Sequence, residues 1–165
     1  MAKQQKFEAG DYVVYPAHGV GKVLAVEEQE IAGHRLEVLV IEFDKERMIL
    51  RIPTAKVSAA GLRNLSTRKE MQEALKTLKG RSRAKRAMWS RRAQEYEAKI
   101  NSGNPISIAE VLRDLHRNAD QPDQSYSERQ IYQSALERLS RELAAVEKID
   151  EDTAQEKLES VLQVA

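Results

Sequence analysis

Positive charge is concentrated in one short segment that surrounds the only tryptophan of the chain. From Lys79 to Arg92 the sequence is KGRSRAKRAMWSRR, in which seven of fourteen residues are Lys or Arg and none is acidic. Such a segment repels itself unless an anion meets it, so phosphate is the first partner to consider. The alternative is a solvated helix face that pairs with acidic residues elsewhere in the chain.

Trp89 lies within this segment, at the start of an apolar stripe with helical spacing. A single tryptophan in such a position is most often part of a core. The functional alternative is that a ring flanked by guanidinium groups stacks on or wedges beside a base, while the arginines hold the neighbouring phosphates. Wedging costs stacking energy, so it is easiest where a duplex is already opening. The pattern therefore points to a junction between duplex and melted DNA.

Motifs for catalysis or metal binding are weak. The three histidines, His18, His34 and His116, lie in different predicted elements and show no ligand spacing. The chain has no cysteine, which removes disulfides, thiolate zinc sites and cysteine nucleophiles. We therefore expect no metal, no cofactor and no enzymatic activity.

The net charge of the whole chain is uninformative because a basic segment and an acidic segment cancel each other. The 165 residues include 27 basic and 26 acidic side chains, for a net charge of +1. Residues 1–64 have nine of each, residues 65–103 have eleven basic and four acidic, and residues 104–165 have seven basic and thirteen acidic. The corresponding net charges are 0, +7 and −6. The length allows one domain or two small ones.

The start of the chain has no apolar stretch typical of a secretion signal, and no apolar run approaches the ~18 residues of a membrane span. A cytoplasmic location is expected.

The first sixty residues favour short strands separated by turns. Strands are predicted at 12–15, 22–31, 35–43 and 48–52, bounded by Pro, Gly or Asp. In the last strand, an apolar set alternates with Arg47, Ile49 and Arg51, which places these three residues away from the core. The pattern predicts a small antiparallel barrel of the SH3-like or Tudor-like kind.

From residue 66 onward, apolar residues recur with helical spacing. Capping-box sequences predict helices that begin at Thr67, Ser107 and Ser127, and acidic residues from Asp150 precede a last helix. A further helix, from about Ser82 to Asn101, would carry Trp89. The predicted fold class is α+β with two domains, a β-barrel over 1–62 and an all-α helical bundle over 63–165.

Four separated motifs together resemble one protein family. They are GDYVVYPAHGVGKV at 10–23, ERMILRIP at 46–53, MWSRR at 88–92 and AEVLRDLHR at 109–117. In order and spacing they resemble the CarD family of bacterial transcription regulators, also called CdnL. The resemblance implies an N-terminal Tudor-like domain that binds the β subunit of bacterial RNA polymerase. It also implies a C-terminal helical domain that contacts promoter DNA at the upstream edge of the transcription bubble.

The resemblance also assigns residues. Arg51 matches a family arginine implicated in polymerase contact, and Arg47 and Ile49 share its predicted face. Trp89 matches the tryptophan that wedges into the minor groove at the upstream fork, with a basic match at Arg91. The full set expected to bind DNA is Trp89, Arg91, Arg92, Arg86, Lys85 and Arg83. Two residues depart from the family pattern: Gln29 replaces an arginine for polymerase contact, and Gln94 replaces a DNA-contacting lysine.

The expected function is that of a non-enzymatic transcription factor that stabilises the open promoter complex, with little sequence preference and no membrane or small-molecule partner. Two alternatives stay open. The first strands also resemble a KOW-type barrel that binds RNA or the ribosome. The chain could instead be a protein-interaction adaptor with Trp89 in its core.

Overall fold

A computed structural model describes residues 7–16, 18–43, 47–80, 88–116 and 125–164 of the chain. The chain forms two compact units, residues 1–65 and residues 66–165. The first is a β unit and the second is a helical unit, as the sequence predicts.

The β unit is a five-stranded antiparallel sheet. Its strands are β1 (Tyr12–Tyr15), β2 (Gly19–Ile31), β3 (His34–Phe43), β4 (Met48–Pro53) and β5 (Arg63–Asn64), and they are ordered β4-β3-β2-β1-β5. A short helix α1 (Val57–Ala60) precedes β5. Because β5 pairs with β1, the β unit extends past the predicted boundary at residue 62. In the described part of the chain no ladder joins β4 to β5, so the barrel is open between these strands.

Alternation along the strands builds the core of the β unit. Val13, Val23, Leu39 and Ile41 lie on the inner face and are almost completely buried. At Gly21 any side chain would collide with Ile41 and Phe43, since an added Cβ would lie 2.7 Å from each of them. A glycine is therefore required where β2 crosses this core.

In its described residues the helical unit has five helices, which surround one apolar core. They are α2 (Arg68–Leu78), α3 (Trp89–Asn101), α4 (Pro105–Leu115), α5 (Tyr126–Glu147) and α6 (Glu151–Val164). No helix in the described ranges is long and apolar enough to cross a membrane.

Two predicted helix starts are confirmed. Thr67 caps α2 in a complete capping box, in which its Oγ1 accepts from the Glu70 N–H at 3.1 Å. The Asp150 carboxylate precedes α6 and accepts from the Thr153 N–H at 2.7 Å. This hydrogen bond stabilises the charged carboxylate and lowers the pKa of Asp150.

Two other predicted caps are wrong, because a better capping residue lies two or three positions earlier. The Asn104 side chain caps α4, and the Pro105 that follows it fits the first helical position, where no N–H is needed. Ser125, not Ser127, caps α5, and its Oγ accepts from the Glu128 N–H at 3.2 Å.

The helix predicted from Ser82 begins instead at Trp89, with Met88 in an extended conformation as its N-cap. Residues 81–87 lie outside the described ranges.

A buried carboxylate fixes the start of the helical unit. The Glu142 side chain on α5 is almost fully buried and accepts a hydrogen bond from the Ser66 N–H at 2.9 Å. Bonds from a backbone N–H to a carboxylate are among the stronger hydrogen bonds in proteins. The chain therefore enters α2 at a defined place against α5.

Candidate functional site

The first turn of α3 presents the tryptophan and the two arginines that follow it. Trp89 is the first residue of α3, and the Met88 carbonyl accepts from the N–H groups of Arg91 and Arg92, both at 3.1 Å. The Met88 side chain forms no capping hydrogen bond. The N–H groups in the first turn of α3 therefore have no acceptor in the side chain of the N-cap residue.

Trp89 is half-buried and contacts two residues of its own helix, Arg92 and Tyr96, whose ring is tilted by 46° to the indole with centroids 6.2 Å apart. The Arg92 guanidinium lies over the Trp89 ring at 5.5 Å and over the Tyr96 ring at 5.7 Å. Arg92 Nη2 also donates to the Tyr96 hydroxyl at 3.2 Å. Residues three and four positions apart on a helix are neighbours, which is why the spacing of Trp89, Arg92 and Tyr96 allows this stack. Arg92 supports the tryptophan as well as adding charge.

The indole of Trp89 is also attached to a second helix. Its Nε1 donates a hydrogen bond to Ser127 Oγ at 3.1 Å, and Ser127 is the second residue of α5. This contact joins the N-terminus of α3 to that of α5, although the two residues are 38 positions apart.

Two exposed apolar side chains lie at the starts of the same two helices. Met88 is 79% exposed and Tyr126 is 76% exposed, whereas the other exposed large apolar residues of the described chain lie between 38% and 49%. Each is the chain neighbour of one partner in the Trp89–Ser127 bond. The sequence interpretation missed Tyr126. The available signal was an aromatic residue beside a capping serine and off the apolar stripe of α5.

The starts of α3 (residues 88–92) and α5 (residues 125–129), here called the tip, differ in charge. The first turn of α3 has two arginines and no acidic residue, whereas α5 begins with the acidic Glu128 next to the basic Arg129. Arg91 on α3 and Arg129 on α5 are exposed, and Arg92 is half-buried in its stack. The structure therefore brings Trp89, Arg91 and Arg92 together on one turn. The other predicted DNA contacts, Arg83, Lys85 and Arg86, lie outside the described residues.

The predicted polymerase contacts lie at the β4 edge of the sheet. Ile49 and Arg51 are exposed and alternate with the less exposed Met48, Leu50 and Ile52, as predicted. Arg47 differs, because it precedes β4 in a turn with a left-handed backbone, φ 50°. It is exposed, but the alternation of β4 does not extend to it.

Cross-strand pairs show what else lies on the outer face of the sheet. Arg51 is paired with Val40 and Ile49 with Glu42, and directly paired residues share a face. By the same alternation Gln29, which is paired with Leu36, lies on this face. Val40 is buried although it is not part of the inner core. The outer face therefore combines apolar and polar groups, including the Arg51 guanidinium.

In the described ranges no three His, Asp or Glu side chains lie close enough to hold a metal ion. His18 stacks on the Tyr15 ring, with centroids 5.4 Å apart, so it packs against an aromatic side chain.

Comparisons with known proteins agree with this two-part organisation. The family model described as CarD-like/TRCF RID domain matches residues 7–66, and the one described as CarD, C-terminal domain matches residues 73–159. YdeB of Bacillus subtilis (strain 168), a protein named as a transcription factor, is 29% identical over 145 residues, covering 88% of this chain and 95% of YdeB.

Two solved structures of N-terminal domains from Myxococcus xanthus are also similar. The 72-residue N-terminal domain of CarD is 32% identical, covers 38% of this chain and 84% of its own, and has a TM-score of 0.32. The structure named CdnLNt is 38% identical, covers 39% of this chain and 92% of its own, and has the same TM-score, 0.32.

Proposed function

Because the chain belongs to the CarD family of transcription factors, whose N-terminal module is an RNA polymerase-interacting domain, we propose that it stabilises the open promoter complex of bacterial RNA polymerase. In this proposal the β unit binds the β subunit of the polymerase. The helical unit contacts DNA at the upstream fork of the bubble.

The polymerase contact is assigned to the outer face of the sheet at β4. Arg51 and Ile49 are exposed there side by side on one face, which supplies a charged anchor next to an apolar one. Arginine is enriched where binding energy is concentrated in protein interfaces, and the fully buried core of such an interface is more apolar than its rim. Arg47 extends the same edge from its turn. Gln29, on the same face, offers a hydrogen bond without charge.

The DNA contact is assigned to the tip where α3 and α5 meet. The observation that carries this assignment is the combination, at the starts of α3 and α5, of a supported tryptophan, exposed arginines and the two most exposed large apolar side chains of the described residues. An aromatic side chain with arginines beside it is suited to bases that have lost a stacking neighbour, with phosphates on either side. Arg91 and Arg92 supply cations on α3, and the predicted contacts Arg83, Lys85 and Arg86 precede them in the chain.

Stabilisation requires that the protein bind the open complex better than the closed one. If the wedge favours the open state by ~1.4 kcal/mol, open complexes gain about tenfold over closed ones. Binding to free DNA should be weak, because about four neutralised phosphates give a log-log salt slope of only about −4. Promoter choice then comes mainly from the polymerase.

The proposal is tested by permanganate probing of the bubble and by open-complex lifetimes with purified polymerase. We expect Trp89→Ala to lose most of the stabilisation while still binding polymerase. Trp89→Phe should retain part of it, because a ring remains. Ile106→Ala is a matched control, since this side chain is 38% exposed at the start of α4, the helix that follows the far end of α3.

Normal stabilisation by a polymerase-bound Trp89→Ala protein would remove the wedge from the mechanism. The family match of the β unit favours polymerase over the KOW-type RNA alternative. Crosslinking to ribosomal RNA in place of polymerase would reverse that preference.

A further inference from the structure

We propose that Ser127 is a positioning residue that holds the Trp89 indole in the orientation used for DNA contact. The inference rests on the proposed function for its consequence at promoters, but its structural part can be tested without DNA. It makes the N-terminus of α5 part of the DNA-binding tip.

The first step is that Ser127 is not needed to begin its helix. Ser125 caps α5 by accepting from the Glu128 N–H. Ser127 lies inside the first turn, and its hydroxyl instead accepts from Trp89 Nε1 at 3.1 Å. The two serines near the start of α5 therefore have different partners. Ser125 caps the helix, and Ser127 accepts the hydrogen bond from the indole of Trp89.

The second step is that this bond restrains an otherwise incompletely held ring. An indole has one N–H donor and no acceptor. The hydrogen bond that this N–H donates is therefore the single polar interaction that can orient a half-buried indole. The Arg92 guanidinium lies over the ring, while Ser127 holds its nitrogen-bearing edge. Packing and one directional bond together select one orientation. A wedge already held in its working orientation loses less conformational entropy on binding.

The third step is that Ser127 is exposed, so its hydroxyl contributes little burial to the fold. Its removal should affect the orientation of Trp89 more than the stability of the unit. The capping Ser125 should behave in the opposite way. This difference separates a positioning role from a merely structural one.

The experiment uses Trp89 fluorescence, which is unambiguous because the chain has only one tryptophan. In the full-length protein we expect Ser127→Ala to shift the emission, lower the anisotropy and increase quenching by acrylamide, with an unchanged unfolding midpoint. Ser127→Thr keeps a hydroxyl and should restore the wild-type signal. Ser125→Ala should lower the unfolding midpoint and leave the Trp89 signal unchanged. A Ser127→Ala signal identical to wild type would overturn the proposal.

The consequence for function is tested in open-complex lifetimes. Loss of one neutral hydrogen bond should shorten the lifetime by about twofold to tenfold in Ser127→Ala. In a Trp89→Phe background, which lacks the indole N–H, Ser127→Ala should have no further effect. An equal effect in both backgrounds would overturn the positioning role. If Trp89→Ala itself leaves the lifetime unchanged, the proposed function fails, while the fluorescence result still decides whether Ser127 positions the indole.

Discussion

At the scale of single residues, the surroundings of Trp89 fit both roles that the sequence presented as alternatives. Its ring packs beside the core of the helical unit, and it also lies at a basic, apolar tip. A side chain that inserts between bases needs support from behind, because an unsupported ring would lose conformational entropy on insertion. Partial burial of Trp89 is therefore compatible with a wedge, and the contacts with Arg92 and Ser127 supply the support.

Tyr126 should be a second aromatic contact of the same tip. We expect Tyr126→Ala to shorten the open-complex lifetime about fivefold, since stacking of a base on an aromatic ring contributes ~1 kcal/mol or more. Trp89 fluorescence and the unfolding midpoint should stay as in wild type. Lifetimes equal to those of the Ile106→Ala control would contradict a role for Tyr126 in DNA contact.

The sequence predicted Trp89 and Arg91 through the resemblance but did not predict the partners that hold the ring. The stack of Trp89, Arg92 and Tyr96 follows from helical spacing, so it was accessible once the start of α3 was known. The bond to Ser127 was not accessible, because it joins residues 38 positions apart and depends on how α3 and α5 pack. Tyr126 had a signal in the sequence, as an aromatic residue beside a serine and off the apolar stripe of α5, but its place at the start of the same helix as Ser127 gained meaning only from the bond to Trp89.

At the scale of elements, a capping-box sequence predicted the correct start for only one of three helices. Thr67 begins α2 and its capping box is present, although Ser66 directly precedes it as another polar residue. At α4 and α5 two polar residues compete within a few positions. The residue that begins the helix is the one that leaves a compatible first turn after it, such as Pro105 after Asn104. Residue type alone does not decide this competition.

The cap of α4 gives a prediction for stability. Asn104 Oδ1 accepts from the N–H groups of Ile106 and Ser107, at 2.9 and 3.4 Å. Asn104→Ala should therefore lower the free energy of unfolding by about 1 kcal/mol. Ser107→Ala should change it by much less, since Ser107 does not cap. Chemical denaturation followed by circular dichroism measures both, and equal losses in the two variants would contradict the assignment of the cap.

The cap of α6 gives a prediction that depends on pH. The Thr153 N–H holds the pKa of Asp150 below its usual 3.8, so the folded state favours the charged carboxylate. This contribution is present above the unfolded pKa and is lost as the pH falls through the folded pKa. Asp150→Asn keeps an acceptor without charge. It should be less stable than wild type at pH 7, because a charged carboxylate suits a helix N-terminus. The thermal midpoints of the two proteins should converge as the pH falls below 3.8 and through the lower folded pKa of Asp150. A difference independent of pH would contradict this charge effect.

At the scale of the whole molecule, the sequence predicted the division of the chain into a β unit and a helical unit better than the details of either unit. Alternation in the first third and helical spacing in the rest were sufficient for an α+β fold with two parts. Its charge also divides, into a neutral β unit, a basic segment around Trp89 and an acidic C-terminal third. A near-neutral sum limits indiscriminate attraction to DNA, because nonspecific affinity grows with the number of neutralised phosphates. In the proposed function, the protein therefore depends on polymerase to bring its tip to the fork.

This dependence predicts that a change in the β unit abolishes function while the DNA-binding tip stays intact. Arg51→Glu should prevent co-purification with core polymerase and so remove open-complex stabilisation, because tethering supplies the effective concentration at the fork. Its Trp89 fluorescence should match wild type, since Trp89 lies in the other unit. Arg35→Glu is a matched control. Arg35 is exposed on β3, but by the alternation of that strand it lies on the face of the sheet opposite to Arg51. Retained polymerase binding by Arg51→Glu, or equal loss in Arg35→Glu, would remove Arg51 from the interface.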